Sequence, residues 1–166
     1  MRLMLALCLV LGCTMCGRAA AGAARRRVET LEDLLRGVRR LKHNMTHMLE
    51  TVERALRAAD CPILDRVSDA LEPGGGAAEA WRRVLRRERR RGGLCDALTR
   101  EDEMLLSRLF QQLGESGREA QEILLSDAIE EIKRALERAR PRAAEAERLY
   151  GTLGVLAGLL IALVVI

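Results

Sequence analysis

Apolar residues follow a heptad pattern in two long stretches, one in each half of the chain. The first stripe covers residues 31–55 and the second covers residues 125–150, with apolar positions alternately three and four residues apart. Such a stripe occupies one face of a helix that packs lengthwise against a partner helix. The pattern predicts a helix over residues 28–58 and a long last helix, and we expect these two helices to pair antiparallel.

Turn-forming residues divide the segment between the two stripes into shorter helices. Pro62 favours the first turn of a helix, and the sequence Pro-Gly-Gly-Gly at 73–76 favours its end. A second short helix is predicted over residues 77–91, with Trp81 on its apolar face and arginines on the opposite face. Two glycines at 92–93 are expected to stop this helix.

Two capping boxes are predicted near the starts of the last two helices. Thr99 with Asp102, and Ser116 with Glu119, each have the spacing at which a side-chain oxygen and a carboxylate cap a first turn. Pro141 interrupts the second heptad stripe, and it is expected to bend or locally break the last helix.

Both ends of the chain are apolar. Residues 150–166 carry no charge and would extend about 25 Å as a helix, which approaches the thickness of a hydrocarbon core. Residues 1–24 fit a retained transmembrane helix, a cleavable signal peptide or a lipoprotein signal ending at Cys13. Three arginines at 25–27 favour the retained helix, because the positive-inside rule places them in the cytosol. The predicted organisation is therefore a membrane segment, a cytosolic helical domain over residues 25–149, and a second membrane segment.

Glycines in the last segment suggest that it packs against another membrane helix. Gly154 and Gly158 form a GxxxG motif, and Gly151 precedes them by three residues. Small residues at this spacing allow two helices to approach closely within a bilayer. The apolar segment over residues 1–24 is one candidate partner.

Composition supports an all-α fold without enzymatic chemistry. Only three of the 166 residues are aromatic, and Ala, Leu, Arg and Glu dominate the chain between its ends. The sequence contains no P-loop, dinucleotide fingerprint or nucleophile elbow, so we expect no catalytic activity and no cofactor. His43, His47 and Glu50 could hold a divalent metal, but an exposed helix face is the favoured interpretation, and no metal site is predicted.

Arginines are concentrated in the second short helix, where seven lie within residues 82–91. An acidic protein partner, anionic lipid headgroups and nucleic acid are three candidate ligands, and a solvated surface is the fourth interpretation. Nucleic acid is disfavoured because no aromatic residues are interleaved for base stacking. The predicted partner-binding residues are the arginine face, Arg82, Arg83, Arg86, Arg87 and Arg90, and the 114–121 turn, Gly114, Ser116, Arg118 and Gln121.

Several short motifs resemble those of the stage III sporulation protein AB family, membrane proteins of endospore-forming bacteria. The motifs are Thr-Arg-Glu-Asp at 99–102, Leu-Gly-Glu-Ser at 113–116, and Tyr-Gly-Thr-Leu-Gly-Val-Leu at 150–156. Arg118 and Gln121 follow the second motif at the family's spacing. The pair Ala80-Trp81 also matches a family Ala-Trp upstream of these motifs.

The resemblance implies a fold and a role in sporulation. The family has two membrane segments around a helical domain similar to the cytoplasmic domain of the type II secretion platform protein. It acts in a channel-like complex joining mother cell and forespore after engulfment, and later forespore gene expression depends on it. Implied partners are the complex's cytosolic ATPase, protein AA, and its other membrane subunits. Implied localisation is the mother-cell membrane around the forespore, with the helical domain facing the cytosol.

A second class of function remains open from the residues alone. A cleaved or lipid-anchored amino terminus would make the chain a helical binding protein with a carboxyl-terminal membrane anchor. Processing near residue 24 would distinguish it from a chain that retains both membrane segments.

Overall fold

Helices are the regular elements of this protein, so the predicted all-α class is confirmed. The computed structural model describes the backbone of residues 2–90 and 92–165, and the side chains of residues 22–90 and 92–149. The helices in these ranges are α1 (Arg2–Thr46), α2 (Val52–Arg57), α3 (Pro62–Asp69), α4 (Ala77–Glu88), α5 (Arg100–Gln112) and α6 (Arg118–Val165).

The predicted helix over residues 28–58 is wrong at both of its ends. α1 begins at Arg2 and ends at Thr46, and a short turn separates it from α2. Leu49 in this turn has a φ of 55°, which lies in the left-handed region that few non-glycine residues adopt. The heptad stripe is buried at Leu41 on α1 and at Ala55 on α2, but Met48 in the turn between them is 62% exposed. Periodicity alone did not reveal that two helices share one apolar stripe.

The second heptad stripe lies on α6 as predicted. Leu125, Ile132 and Leu136 are buried on this helix. The predicted local break at Pro141 is wrong, since α6 continues through it. Pro141 has no backbone N–H, so one carbonyl in the preceding turn of α6 lacks its hydrogen-bond donor. Pro141 is exposed, and water can therefore hydrate this carbonyl.

A lysine joins α1 to α6. Lys42 Nζ on α1 lies 3.3 Å from Glu122 Oε1 on α6 and donates a hydrogen bond of 2.9 Å to Ser126 Oγ. The pKa of Glu130 on α6 is lowered mainly by a hydrogen bond from Lys133, and also by the positive charge of Arg39 on α1. The antiparallel direction of pairing stays a prediction.

The shorter helices follow their turn signals closely. Pro62 occupies the first turn of α3, and Gly74 in the following loop has a φ of 79°. Thr99 and Asp102 form the predicted capping box at the start of α5. α4 ends at Glu88 rather than at residue 91, so its last predicted turn is wrong and Arg90 lies in the turn that follows.

Two compact units divide the chain. One comprises Glu29–Leu136, and the other comprises Met1–Val28 with Glu137–Ile166. No helix is long and apolar enough to cross a membrane among the residues whose side chains are described. The predicted membrane segments, residues 1–24 and 150–166, lie outside those residues except at 22–24, and Gly151, Gly154 and Gly158 lie outside them as well.

Candidate functional site

α4 carries the arginine face because its apolar and basic residues lie on opposite sides. Ala77, Ala80, Trp81 and Val84 are buried along one side of this helix. These positions recur every three or four residues, which is the period of one helix face. The arginines between them are therefore directed away from the core, with Arg83 half-buried and the others exposed.

Trp81 attaches α4 to α5 and so fixes the orientation of the arginine face. Its ring stacks on Phe110 with the ring centroids 5.3 Å apart. The indole Nε1 donates a hydrogen bond of 2.9 Å to Ser107 Oγ. Both rings are about 1% exposed, so the contact combines aromatic burial with a satisfied polar group. This anchor was only partly foreseen, since the sequence placed Trp81 on the apolar face without identifying its partner.

An ion pair with a buried carboxylate holds the chain just beyond α4. Arg89 Nε lies 3.2 Å from Glu103 Oε1 on α5, and Glu103 is only 8% exposed. Only the carboxylate is buried, since the Arg89 side chain is 55% exposed, so solvent still screens part of the attraction. Arg89 is consequently part of the scaffold, whereas its neighbours on the arginine face are directed toward solvent.

A cleft of about 490 Å³ lies between α3 and α4, beside the arginine face. We call it the α3–α4 cleft. Its lining combines five arginines, three carboxylates and two apolar residues: Arg66, Arg83, Arg86, Arg87, Arg90, Asp69, Glu72, Glu88, Ala70 and Val84. The contribution of α3 was missed from the sequence, because only the fold places residues 66–72 opposite α4.

The arginines of this surface differ in their partners. Arg83 forms a hydrogen-bonded ion pair with Glu72, and Arg82 Nε donates to the carbonyl of Ala78 in its own helix at 3.3 Å. The side chains of Arg86, Arg87 and Arg90 form no ion pair or hydrogen bond with any residue that the structure describes. These three guanidinium groups line the cleft and retain their donors for a ligand.

The 114–121 turn contains both exposed residues and a buried clamp. Gly114, Ser116 and Arg118 are exposed, and Gly114 has a φ of 85°. Gln121 is only 4% exposed, and its Nε2 donates to the Gln112 carbonyl at 2.8 Å and to Ser116 Oγ at 2.7 Å. Gln121 therefore holds the turn in shape, and a partner would contact the exposed residues around it.

The second predicted capping box is wrong. α6 begins at Arg118, so Gly117 rather than Ser116 immediately precedes its first turn. Ser116 Oγ instead accepts the hydrogen bond from Gln121. Because Gln121 Nε2 is a donor, this bond fixes the turn but caps none of the backbone N–H groups in the first turn of α6.

The two histidines and two central cysteines add no chemical site. His43 and His47 have ring centroids 5.1 Å apart, but His47 lies beyond the end of α1. No group of three or more metal-ligating side chains occurs among the described residues. Burial raises the pKa of the Cys95 thiol to about 12 and also raises that of Cys61, which leaves both thiols protonated at neutral pH.

The fold and this surface define a helical protein with an exposed, strongly basic cleft. The family model of stage III sporulation protein AB matches residues 2–166. The chain belongs to that family, which confirms the resemblance and implies a role in sporulation. No curated protein and no solved structure gave a match in the comparisons.

Proposed function

We propose that this protein is a non-enzymatic membrane component of the channel complex that joins mother cell and forespore. In this role it is a membrane-anchored antiparallel helical bundle, similar to the cytoplasmic domain of the type II secretion platform protein. The apolar segments at 1–24 and 150–166 anchor it in the mother-cell membrane around the forespore. The helical domain faces the cytosol and offers a platform to the cytosolic ATPase, protein AA, and to other membrane subunits.

The single observation that carries this proposal is the family match over residues 2–166. The sequence pattern adds two apolar ends and a basic flank at 25–27, which suit a cytosolic domain between two membrane segments. The cleft adds a surface for association, because the guanidinium groups of Arg86, Arg87 and Arg90 have no partner among the described residues.

An adaptor function requires no reacting groups, only a shaped and charged surface. Electrostatic complementarity across such a surface speeds encounter between partners and disfavours partners of like charge. The Trp81 anchor and the Arg89–Glu103 ion pair keep the arginine face in one orientation. A fixed orientation lowers the conformational entropy lost on binding.

Deletion of the gene in the producing bacterium tests the proposal. We expect sporulation to arrest after engulfment, with loss of a late forespore reporter, and the intact gene to restore both. Normal spores at the normal yield would contradict a necessary role in the channel complex. Mass spectrometry of the intact chain distinguishes the alternative, since cleavage near residue 24 would indicate a signal peptide rather than a retained anchor.

A further inference from the structure

The cleft's three unpaired guanidinium groups lie close together along the chain. Arg86 and Arg87 are exposed in the last turn of α4, and Arg90 is exposed just beyond its end at Glu88. Arg86 and Arg90 are four residues apart in sequence, which is about the length of one helical turn. Carboxylates three or four residues apart on a partner helix are separated by a similar interval.

The acidic lining of the cleft limits which anions fit there. Asp69, Glu72 and Glu88 lie among the arginines, and only Glu72 and Glu88 have arginine partners in this region, Arg83 and Arg66 respectively. A chain of closely spaced phosphates would bring negative charge against these carboxylates as well as toward the arginines. Carboxylates confined to one face of a partner helix can reach the arginines without approaching Asp69, Glu72 and Glu88.

Aromatic side chains for base stacking are missing from the cleft lining that the structure describes. Trp81, the aromatic residue of α4, is buried against Phe110 and uses its indole N–H internally. Single-stranded nucleic acid gains much of its affinity by stacking bases on exposed aromatic rings. The surface is therefore better suited to a protein than to nucleic acid.

We propose that the α3–α4 cleft binds an acidic helix of a protein partner, whose carboxylates, spaced three or four residues apart, pair with Arg86, Arg87 and Arg90. The inference rests on the proposed function, because it names the chemistry by which the adaptor holds its partner. Arginine suits this task, since its planar guanidinium can hold a carboxylate through two parallel hydrogen bonds. Arg83 is held in its ion pair with Glu72, so it lines the site but does not bind the partner.

Binding of a defined acidic peptide tests this inference directly. The probe is a fluorescent, alanine-based helical peptide with glutamates on one stripe, and the control peptide distributes the same glutamates around the helix. Fluorescence anisotropy is measured with the full-length chain in an uncharged detergent. We expect the striped peptide to bind more tightly than the control peptide. Binding should weaken as salt rises from 0.1 M to 1 M, which shortens the Debye length from about 10 Å to about 3 Å.

Two protein variants distinguish binding at the cleft from attraction by the net charge of the protein. The test variant carries Arg86→Glu, Arg87→Glu and Arg90→Glu. The control variant reverses three exposed arginines outside the cleft: Arg54→Glu, Arg108→Glu and Arg138→Glu. Circular dichroism checks that both variants remain helical. The test variant should lose affinity for the striped peptide by at least about tenfold, and the control variant should keep it.

Other outcomes would overturn the inference. Equal losses in both variants would mean that net charge alone attracts the peptide. Binding of a single-stranded oligonucleotide or of phosphatidylglycerol in mixed micelles, without peptide binding, would assign the cleft to another ligand. The proposed function and this inference can fail separately. Normal spores from the deletion strain contradict the former, whereas absent peptide binding contradicts the latter even if that strain arrests.

Discussion

Replacing Gly37 by alanine should destabilise the domain through a single close contact between α1 and the start of α3. Gly37 is buried, and a Cβ atom added there would lie 2.6 Å from Cys61 Cβ. It would also lie 3.0 Å from Leu64 Cδ1 and 3.2 Å from Cys61 Sγ. The leucine methyl can rotate away, but the two Cβ atoms are fixed by their backbones, so α1 and α3 must separate.

The expected change in the free energy of unfolding combines two opposing contributions. Overpacking a buried site typically costs about 1–3 kcal/mol. Alanine in place of glycine within a helix returns up to about 1 kcal/mol through its higher helix propensity. Because the 2.6 Å contact joins two backbone-fixed atoms, the upper half of the overpacking range, about 2–3 kcal/mol, applies. We therefore expect Gly37→Ala to lower the free energy of unfolding by about 1–2 kcal/mol. Cys61→Gly removes the opposing Cβ, so Gly37→Ala should cost less in a Cys61→Gly background than in the natural chain.

Urea unfolding followed by Trp81 fluorescence measures this change, because Trp81 is the single tryptophan and is buried in the same unit as Gly37. Gly76→Ala is the matched control, since a Cβ there meets nothing within 4 Å and its φ of −80° suits alanine. The control should change stability by less than about 1 kcal/mol. Equal effects of the two substitutions would refute the packing argument.

Three further predictions concern local structure. Thr99→Ala removes the capping oxygen of α5 and should cost about 1 kcal/mol in urea unfolding, with no loss if the capping box contributes nothing. Gly114→Ala combines a φ of 85° with a Cβ only 2.9 Å from Val52 Cγ2, and it should cost at least about 1 kcal/mol by the same assay. The folded pKa of Cys95 is raised from 9.0 to about 12, so the unfolded chain loses this proton first and stability should fall as pH rises from 9 toward 12. The loss at pH 10 should be about 1.4 kcal/mol and smaller in Cys95→Ala, whereas an identical pH dependence in both proteins would contradict it.

Local chemistry explains the parts of the fold that the sequence predicted well. Pro62 and the Thr99–Asp102 capping box act within one helical turn, so their residue types and spacing suffice to place the starts of α3 and α5. The α1–α2 boundary depends instead on a turn containing Leu49, whose left-handed φ no local signal announced. Periodicity predicted the burial of Leu41 and Ala55 on either side of this turn, but it wrongly predicted burial of Met48 and continuity of the helix.

The candidate site was predictable only in its exposed, basic half. The amphipathic pattern of α4 places its arginines opposite Trp81, and the structure agrees. Two of the cleft's three carboxylates, Asp69 and Glu72, come from α3 and the loop after it, where Glu72 pairs with Arg83, whereas Glu88 lies on α4 itself. Gln121 was a candidate contact because of a family motif, whereas its burial depends on how the turn folds back onto α6.

Complementation of the deletion strain tests the central claim most directly. The strain receives the intact gene, the Arg86→Glu, Arg87→Glu, Arg90→Glu variant, or the control variant with Arg54, Arg108 and Arg138 reversed, at matched protein levels. We predict that the intact and control genes restore late forespore reporter activity and spore yield, and that the arginine-face variant arrests after engulfment. Full rescue by the arginine-face variant would contradict the claim that this protein acts in sporulation through the α3–α4 cleft.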